Sequence, residues 1–349
     1  MRIARSEAIS RRSFLAGACA LGAGLAACSR RAPSATVTLY TSVDDFIARP
    51  AVQAFEAESG LRVNLVTDTE ATKTAGLAQR LAAERDAPRA DVWWSGEVLG
   101  TIGLARAGLL APWSPAGAAD FPGGAWPAHL RDRGGLWYGC CLRARTIVAR
   151  PAAGFAPATP QDLLDDRLRA RVGIARPQFG TTRSHVAAMV QLDGARAARE
   201  YLAALTANGV RILEGNSAVV RAVAEARIDA GLTDSDDVWA GLDNGWPLRH
   251  SFAAHPAGAV LIPSTVGVVR GAPSPAHAAK LADFLTGAAC ERLMARSPSR
   301  NRPARPALAA ELAAANPRTV FPDAAPVDWS TMAEAIDQTD ALLAELFPL

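Results

Sequence analysis

Apolar and polar residues alternate from position 36 onward in a way that predicts successive strands and helices. Residues 36–40 alternate with the two-residue period of a strand. Residues 50–58 place their apolar side chains on one helical face, with Pro50 suited to the first helical position and Gly60 to the end. A strand at 61–66, a helix at 73–84 and a strand at 90–94 follow. This order predicts a parallel sheet with helices on both faces.

The same alternation resumes between residues 141 and 261 and predicts a second α/β lobe. The predicted strands of this region cover 172–174, 210–213 and 229–233, and its predicted helices cover 182–192, 195–208 and 217–225. A stretch rich in Val, Leu and Ile at 259–269, interrupted by Pro263, is predicted to carry the chain back to the first lobe.

Helices are predicted near the end of the chain at 276–285 and 332–346, with a loop rich in Pro and Arg at 297–306. About 320 residues follow the N-terminal leader, which is more than one hydrophobic core usually serves. We therefore expect one lobe from 36–140 with part of 262–325, a second lobe from 141–261, and a C-terminal helix within 326–349 that the pattern assigns to neither lobe.

The N-terminal residues predict an export signal. Ser10-Arg11-Arg12-Ser13-Phe14-Leu15 opens an uncharged apolar stretch that ends at Cys28, and a twin arginine in this position is typical of Tat export. About 14 apolar residues are too few to cross a membrane, which takes about 20. The Leu-Ala-Ala-Cys ending resembles a bacterial lipobox. We expect a signal peptide at 1–27, a lipid on Cys28, a tether at 28–35, and a mature protein anchored in the periplasm or at the cell surface.

Charge and cysteine content exclude several classes of protein. Removal of the leader takes four arginines and one glutamate from 37 basic and 34 acidic residues and leaves a formally neutral chain. Nucleic acids and anionic membranes need a clustered cationic surface, so neither is an expected partner. Cys140, Cys141 and Cys290 supply neither a disulfide framework nor the paired spacings of a zinc site.

An enzyme is not expected from the motifs. After Cys28 the sequence has no Gly-x-Ser-x-Gly elbow, phosphate-binding loop or His-Glu-x-x-His motif, and its five histidines lack ligand spacing.

An ordered series of segments resembles the solute-binding proteins of bacterial ABC importers, and among them the ferric-ion-binding branch. These segments are LYTS at 39–42, AFEAESG at 54–60, RLAAE at 80–84, PRADVWW at 88–94, AGLL at 107–110, GNS at 215–217, DAGL at 229–232, IPST at 262–265 and GAPSP at 271–275. The resemblance implies a two-lobed, type II periplasmic-binding-protein-like α/β fold with a hinge. It also implies a solute held between the lobes and delivered to a permease and its ATPase.

The resemblance implies metal ligands at three strand ends. The family's histidine falls on or beside Asp44, its glutamate on Glu97, and its pair of tyrosines on Asp236-Asp237. This sequence therefore lacks the tyrosines, and phenolate ligation of ferric iron is not available at those positions. Carboxylates take their place, and carboxylate oxygens suit hard cations such as calcium, magnesium, manganese or ferric ion.

Two further acidic residues accompany this predicted metal set. Asp45 follows Asp44, and Asp234 precedes the aspartate pair. An organic cation would satisfy the same negative charge. Asp234 is equally suited to cap the helix that follows it.

A second group of residues predicts binding of an oxyanion. Gly180 precedes Thr181, Thr182 and Arg183 at the start of a predicted helix, where free backbone N–H groups and a guanidinium favour negative charge. Ser42, Asn216 and Ser217 end a strand or begin a helix and add further donors. Ordinary helix capping explains the same residues equally well. Acidic and donor groups together would suit a zwitterion, or a metal bound with a carbonate or phosphate counter-anion.

The sequence thus predicts a monomeric solute-binding lipoprotein of an ABC importer, with iron or another hard metal cation as cargo and no resident cofactor. Two alternatives stay open. The solute is a small oxyanion or zwitterion such as a phosphonate, or the protein is an exported sensor or docking lipoprotein.

Overall fold

The computed structural model describes residues 35–68, 75–153, 155–316, 318 and 320–348. The predicted signal peptide, Cys28 and all of the tether except its last residue lie outside these residues. Among the described helices, none combines the length and the apolar character that a membrane crossing requires.

The first part of the chain folds as predicted into strands that alternate with helices. Its elements are β1 (Thr36–Thr41), α1 (Asp45–Ser59), β2 (Arg62–Thr67), α2 (Ala75–Ala83), β3 (Val92–Ser95), α3 (Leu99–Arg106) and the short β4 (Leu110–Ala111). Strand β1 pairs in parallel with both β2 and β3. The alternation therefore gave the correct element types and order from β1 to β3, whereas α3 and β4 were not predicted.

The start of α1 corrects one prediction. Pro50 was expected at the first helical position, but the helix begins at Asp45 and Pro50 lies inside it. Proline has no backbone N–H to donate, which is least costly close to a helix start. Gly60 ends the helix in the left-handed conformation, with φ of 71°, as the sequence predicted.

The second part of the chain forms a second set of parallel strands. After short 3₁₀ turns, its elements are β5 (Tyr138–Ala149), β6 (Val172–Ala175), α4 (Gly180–Asp193), α5 (Ala195–Ala207), β7 (Arg211–Leu213), α6 (Asn216–Ala224), β8 (Ala230–Asp234), α7 (Ser235–Asp243), β9 (Arg249–Phe252), β10 (Ala254–His255) and β11 (Gly258–Ala259). Strand β6 lies in parallel between β7 and β8.

The C-terminal part returns to the first set of strands. It contains β12 (Leu261–Val269), α8 (Pro275–Leu285), α9 (Ala288–Arg296), β13 (Arg302–Pro303), α10 (Pro306–Ala315) and α11 (Ala333–Leu346). The stretch 297–306, predicted as loop, includes the two residues of β13, which pair with β5. Helices α9 and α10 were not predicted.

Two long buried strands, β5 and β12, connect the two sets of parallel strands. The sheet order is β2-β1-β3-β12-β5-β8-β6-β7. Residues 138–144 of β5 pair with β12, whereas residues 145–149 pair with β8. The predicted boundary between 140 and 141 therefore falls inside β5. We call the strands on the two sides of β5, with the helices connected to them, the first half and the second half of the sheet.

The C-terminal helix α11 packs on α4 and α5 of the second half. Arg183 of α4 forms an ion pair with Asp340 of α11 at 2.7 Å. Helix α11 also reaches the first half, because Asp337 forms an ion pair with Arg106 of α3 at 2.8 Å. The helix that the sequence assigned to neither lobe thus contacts both halves of the sheet.

Candidate functional site

The carboxyl ends of β1 and β3 in the first half are joined by serine hydroxyls. The Ser42 and Ser95 hydroxyls are 3.1 Å apart, and the backbone N–H of Gly96 donates to the Ser42 hydroxyl at 3.2 Å. Ser42 is buried. Its hydroxyl therefore holds two neighbouring strand ends together at the edge where a ligand of a parallel sheet is expected.

A buried network surrounds Asp234 at the carboxyl end of β8. Arg145 of β5 lies directly opposite Asp234 in the strand register and pairs with it at 2.5 Å. Thr181 and Asn216 also donate to the Asp234 carboxylate, at 2.5 and 2.9 Å. Asp234 occupies the N-cap position of α7, but its side chain makes no capping hydrogen bond there. Its carboxylate instead ties β8 to β5, α4 and α6.

A second buried ion pair lies beside the first. Arg143 pairs with Asp236 at 2.8 Å, and both side chains are almost fully buried. Burial opposes the charge of Arg143, but four nearby carboxylates more than compensate and raise its pKa. These four carboxylates belong to Asp236, Asp234, Asp44 and Asp237.

The three aspartates of the second half lie close enough together to hold a metal ion. Carboxylate oxygens of Asp234, Asp236 and Asp237 lie within 4.8 Å of one another. Asp236 and Asp237 occupy the first turn of α7. Asp44, at the N-cap position of α1, adds negative charge from the first half. We call Asp44, Asp234, Asp236 and Asp237 the aspartate cluster.

The formal charge of this region is negative despite its arginines. The aspartate cluster carries four carboxylates, and Arg143 and Arg145 carry two guanidinium groups. The balance of about −2 favours a cation, because burial strengthens electrostatic interactions. The donor set is all oxygen, which suits a hard metal ion.

Two predicted ligands of the first half have their carboxylates engaged by the protein. Asp45 is exposed and pairs with Arg49 at 2.5 Å. Glu97 accepts the backbone N–H groups of Leu99 and Gly100 at 2.6 and 2.8 Å, at the start of α3. It also accepts the Ser184 hydroxyl of α4 at 3.0 Å, which connects the two halves of the sheet. Burial raises the pKa of Glu97.

The predicted oxyanion donors are also placed against protein partners. Thr181 bonds to Asp234, Arg145 approaches the Thr182 hydroxyl at 3.5 Å, and Arg183 turns away to Asp340. Asn216 joins the Asp234 network. Ser217 is exposed at the start of α6. The ligand roles of all twelve predicted residues stay predictions, and the structure brings four of the charged ones, Asp44, Asp234, Asp236 and Asp237, together around Arg143.

Sequence reasoning missed Arg143 and Arg145. Both lie on β5. The surrounding run from Leu136 to Ala149 is apolar, apart from Thr146 and a few polar groups near its start. Charged residues are almost never fully buried unless they are paired. Two arginines at alternate positions of a strand were therefore a readable signal for buried acidic partners.

Comparisons with known proteins agree with this architecture. A family model described as bacterial extracellular solute-binding protein matches residues 36–297. Iron uptake protein A1 of Synechocystis is 25% identical over 279 residues, which cover 75% of this chain and 74% of that protein.

Solved structures of two-lobed periplasmic binding proteins share the fold. The apo ferric ion-binding protein A of Pasteurella haemolytica aligns with a TM-score of 0.79 and 22% identity, over 90% of this chain and 98% of that one. The periplasmic binding protein AfuA of Actinobacillus pleuropneumoniae, with exogenous fructose-6-phosphate bound, aligns with a TM-score of 0.76 and 18% identity, over 90% and 99% of the two chains. The predicted two-lobed α/β fold is confirmed.

Proposed function

This chain belongs to the bacterial extracellular solute-binding proteins, and from that premise we propose that it captures a hard metal cation, iron in the first place, together with a small oxyanion. It delivers this cargo to the permease and ATPase of an ABC importer.

The observation that carries the proposal is the aspartate cluster. Three of its carboxylates lie within 4.8 Å of one another, at the carboxyl end of a parallel strand and the start of a helix, where ligands of such sheets bind. Arg145 and Arg143 pair with Asp234 and Asp236. We expect Asp236 and Asp237 to bind the cation, with Asp44 as the ligand from the first half, and Asp234 to stay in its network with Arg145, Thr181 and Asn216. The iron-related names of the Synechocystis and Pasteurella proteins support iron as the metal.

The oxyanion follows from Arg143. A site made only for a cation gains nothing from a guanidinium among its carboxylates, because the two positive charges repel each other. An anion bound between the metal and Arg143 removes that repulsion. Arg143 lies on the strand shared by the two halves, so it can contact the anion while the aspartate cluster contacts the metal.

We propose that the two halves of the sheet act as the predicted lobes, 36–140 with part of 262–325 and 141–261, and that β5 and β12 form the hinge. The Glu97–Ser184 hydrogen bond and the Arg106–Asp337 ion pair then belong to the closed form. The expected consequence is a smaller radius of gyration with cargo than without it, measured by small-angle X-ray scattering. Identical radii in both states would contradict a hinged closure.

We further propose that the protein is exported as a Tat-dependent, monomeric lipoprotein that Cys28 anchors in the membrane. Membership in an extracellular family agrees with export. The Cys28→Ala variant is expected to leave the membrane fraction and to lose labelling by a fatty acid. A Cys28→Ala variant that stays membrane-bound would remove the lipid anchor from the proposal.

Arg143 also favours a second candidate function, the binding of an oxyanion or zwitterion such as a phosphonate without metal. The fructose-6-phosphate bound in the AfuA structure supports a phosphorylated or similarly anionic solute. Here the aspartate cluster would contact a cationic group of the solute or stay paired with the arginines.

Thermal unfolding in the presence of a ligand panel separates the two candidates. The panel contains Fe³⁺, Mn²⁺, Ca²⁺, phosphate, a phosphonate and polyamines. A ligand at 100 times its dissociation constant adds about 2.7 kcal/mol to the free energy of unfolding, which raises the melting temperature. Stabilisation by Fe³⁺ supports the first candidate. No shift with any metal, with a shift for phosphate or phosphonate, would replace it with the second.

A further inference from the structure

A pocket of about 320 Å³ lies beside the start of β5, away from the aspartate cluster. The residues that line it include Trp113, Arg131, Arg133, Gly134 and Tyr138. The strand positions from Tyr138 to Arg143 span roughly 15 Å at the rise of a β-strand. The pocket is therefore separate from the site proposed for the cargo.

Contacts within the protein hold the aromatic side of the pocket in place. The backbone N–H of Trp113 donates to the Gly135 carbonyl at 3.1 Å, and the Tyr138 hydroxyl donates to the Trp113 carbonyl at 3.1 Å. The rings of Trp113 and Tyr138 meet edge to face, with centroids 4.7 Å apart, which is a favourable arrangement for aromatic pairs. These contacts fix the Trp113 ring at the pocket wall before any ligand binds.

Two hydrogen-bond donors on residues that line the pocket are left unsatisfied. The Nε1 atom of the Trp113 indole and the Nε atom of Arg131 are buried, and neither has a hydrogen-bond partner among the described residues. Buried donors in native proteins are normally paired with protein, water or a ligand. Because both residues line one pocket, we expect that pocket to hold a hydrogen-bond acceptor.

The charged residues that line the pocket are both arginines, Arg131 and Arg133. Two carboxylates are near but do not line it. Asp132 accepts the backbone N–H of Gly134 at 2.7 Å. Asp328, which lies within electrostatic range of Arg133, accepts a backbone N–H at 3.0 Å in its own turn. The lining therefore presents positive charge, which favours an anionic acceptor.

We infer that this pocket binds a small free oxyanion, such as phosphate or a compact dicarboxylate, through Arg131, Arg133 and the Trp113 indole N–H. Guanidinium groups match the oxygens of carboxylate and phosphate, and an indole N–H acts only as a donor. The volume is near the lower end of the roughly 300–1,000 Å³ of small-molecule pockets, which suits a ligand of this size. The inference goes beyond the proposed function, because this pocket needs no metal.

The test follows the indole N–H signal of Trp113 by NMR. The chain has eight tryptophans, so isotope-labelled tryptophan gives a small set of indole signals, and the Trp113→Phe variant identifies the one from Trp113. Inorganic phosphate is titrated into the full chain, with succinate in a parallel series. We expect the Trp113 signal to shift and to saturate with at least one of the two anions, because the indole N–H gains an acceptor.

Substitution of each arginine should weaken the affinity for the anion. Arg131→Gln and Arg133→Gln are each expected to lower it by about tenfold or more, because each removes a charged donor. Arg133 is exposed, so its variant is expected to fold normally, and thermal unfolding checks both variants. Arg196→Gln is the matched control. It removes the same charge at an exposed pair with Glu200, and the affinity should stay within about twofold of wild type.

The possible results separate this inference from the proposed function. A saturable Trp113 shift that is weakened in both arginine variants, but not in Arg196→Gln, supports the pocket whether or not the protein binds a metal. No Trp113 shift with either anion at millimolar concentration would overturn it, as would wild-type affinity in both arginine variants. Phosphate binding detected by calorimetry with an unchanged Trp113 signal would place the anion elsewhere. That result would overturn the pocket and leave the proposed function intact.

Discussion

Two arginines that stand two residues apart on β5 have different surroundings. Arg145 is fully buried, and its partners besides Asp234 are the neutral side chains of Thr181, Asn216 and Thr182. Arg143 faces the four carboxylates of the aspartate cluster.

The difference separates a structural pair from a ligand-binding one. Around Arg145, one positive and one negative charge balance within a network of neutral donors. Around Arg143, the four carboxylates of the aspartate cluster outnumber the guanidinium groups of Arg143 and Arg145. Such an excess suits a site that takes up a cation, because opposite charges attract. Under the proposed function, Arg143 is therefore the arginine next to the solute and Arg145 the structural one, although both are buried.

The strongest test of the contrast removes Arg145. Arg145→Ala leaves the Asp234 carboxylate buried without its guanidinium, which we expect to lower the free energy of unfolding by about 3–5 kcal/mol. Urea unfolding followed by circular dichroism measures the loss. Arg49→Ala, which breaks the exposed pair with Asp45, serves as the control and should lower stability far less, because exposed ion pairs contribute little. Equal losses in both variants would contradict a structural role for the Arg145 network.

A third buried pair, outside the aspartate cluster, makes a contribution to stability that depends on pH. Glu291 pairs with Arg305 at 2.9 Å, and burial raises the pKa of Glu291 to about 7 although Arg305 opposes the shift. The folded protein then binds a proton more readily than the unfolded chain. The free energy of unfolding should therefore fall as the pH rises from about 4.5 to about 7, by up to about 3 kcal/mol.

The Glu291→Gln variant isolates this contribution. Glutamine does not titrate, so the slope of stability against pH in this window should flatten when urea unfolding is repeated between pH 4.5 and 7. Glu311→Gln, at an exposed pair with Arg292, should leave the slope as in the wild type. A slope that persists in the Glu291→Gln variant would assign the titration to other groups.

The Arg143 side of the contrast is tested at Asp237. Asp237→Asn keeps the shape of the side chain and removes one negative charge from the aspartate cluster. We expect iron affinity to fall by at least about 100-fold, since even the loss of an outer partner of a metal ligand costs 10- to 100-fold. Asp45→Asn, at the exposed neighbour of Asp44, should leave iron affinity unchanged. Calorimetric titration of both variants decides the point, and equal affinities would exclude Asp237 as a ligand.

The smallest effect is expected at Arg183. Its partly exposed pair with Asp340 joins α4 to α11, and exposed ion pairs contribute about 1 kcal/mol or less. Arg183→Ala should therefore lower the melting temperature only slightly and leave anion affinity unchanged. A loss of phosphate binding in this variant would place the oxyanion site at the Gly180 turn.

The sequence predicted the fold better than the contacts of the site. Apolar periodicity is a local property, so it identified β1 to β3, β6 to β8, most of their helices and the return of the chain near 259–269, but it missed α3 and the long strand β5. It placed the start of α1 five residues late because Pro50 is also tolerated inside the first turns. It also gave no sign of α9 and α10, whose small Ala-rich faces lack a clear boundary.

The pairing of charges could not be obtained from local patterns. Ligands of parallel sheets bind beyond the carboxyl ends of the strands, and on that ground the sequence placed Asp44, Asp236 and Asp237 in one region. Their common effect on Arg143 agrees with this placement. The partner of Asp234, however, is Arg145, a residue 89 positions away. This contact exists because β5 crosses from one half to the other. Two arginines at alternate positions of a strand indicate buried charge, but they do not identify the acidic partner.

Strand β5 carries both arginines and also spans the junction between the two halves. Its pairing partner changes from β12 to β8 between Ala144 and Arg145, so a bend at this point would rotate one guanidinium relative to the other. Under the proposed function, β5 would then both contact the solute and bend when the two halves move. A permease that detects the angle between the halves would thereby detect occupancy directly, with no separate relay through the protein.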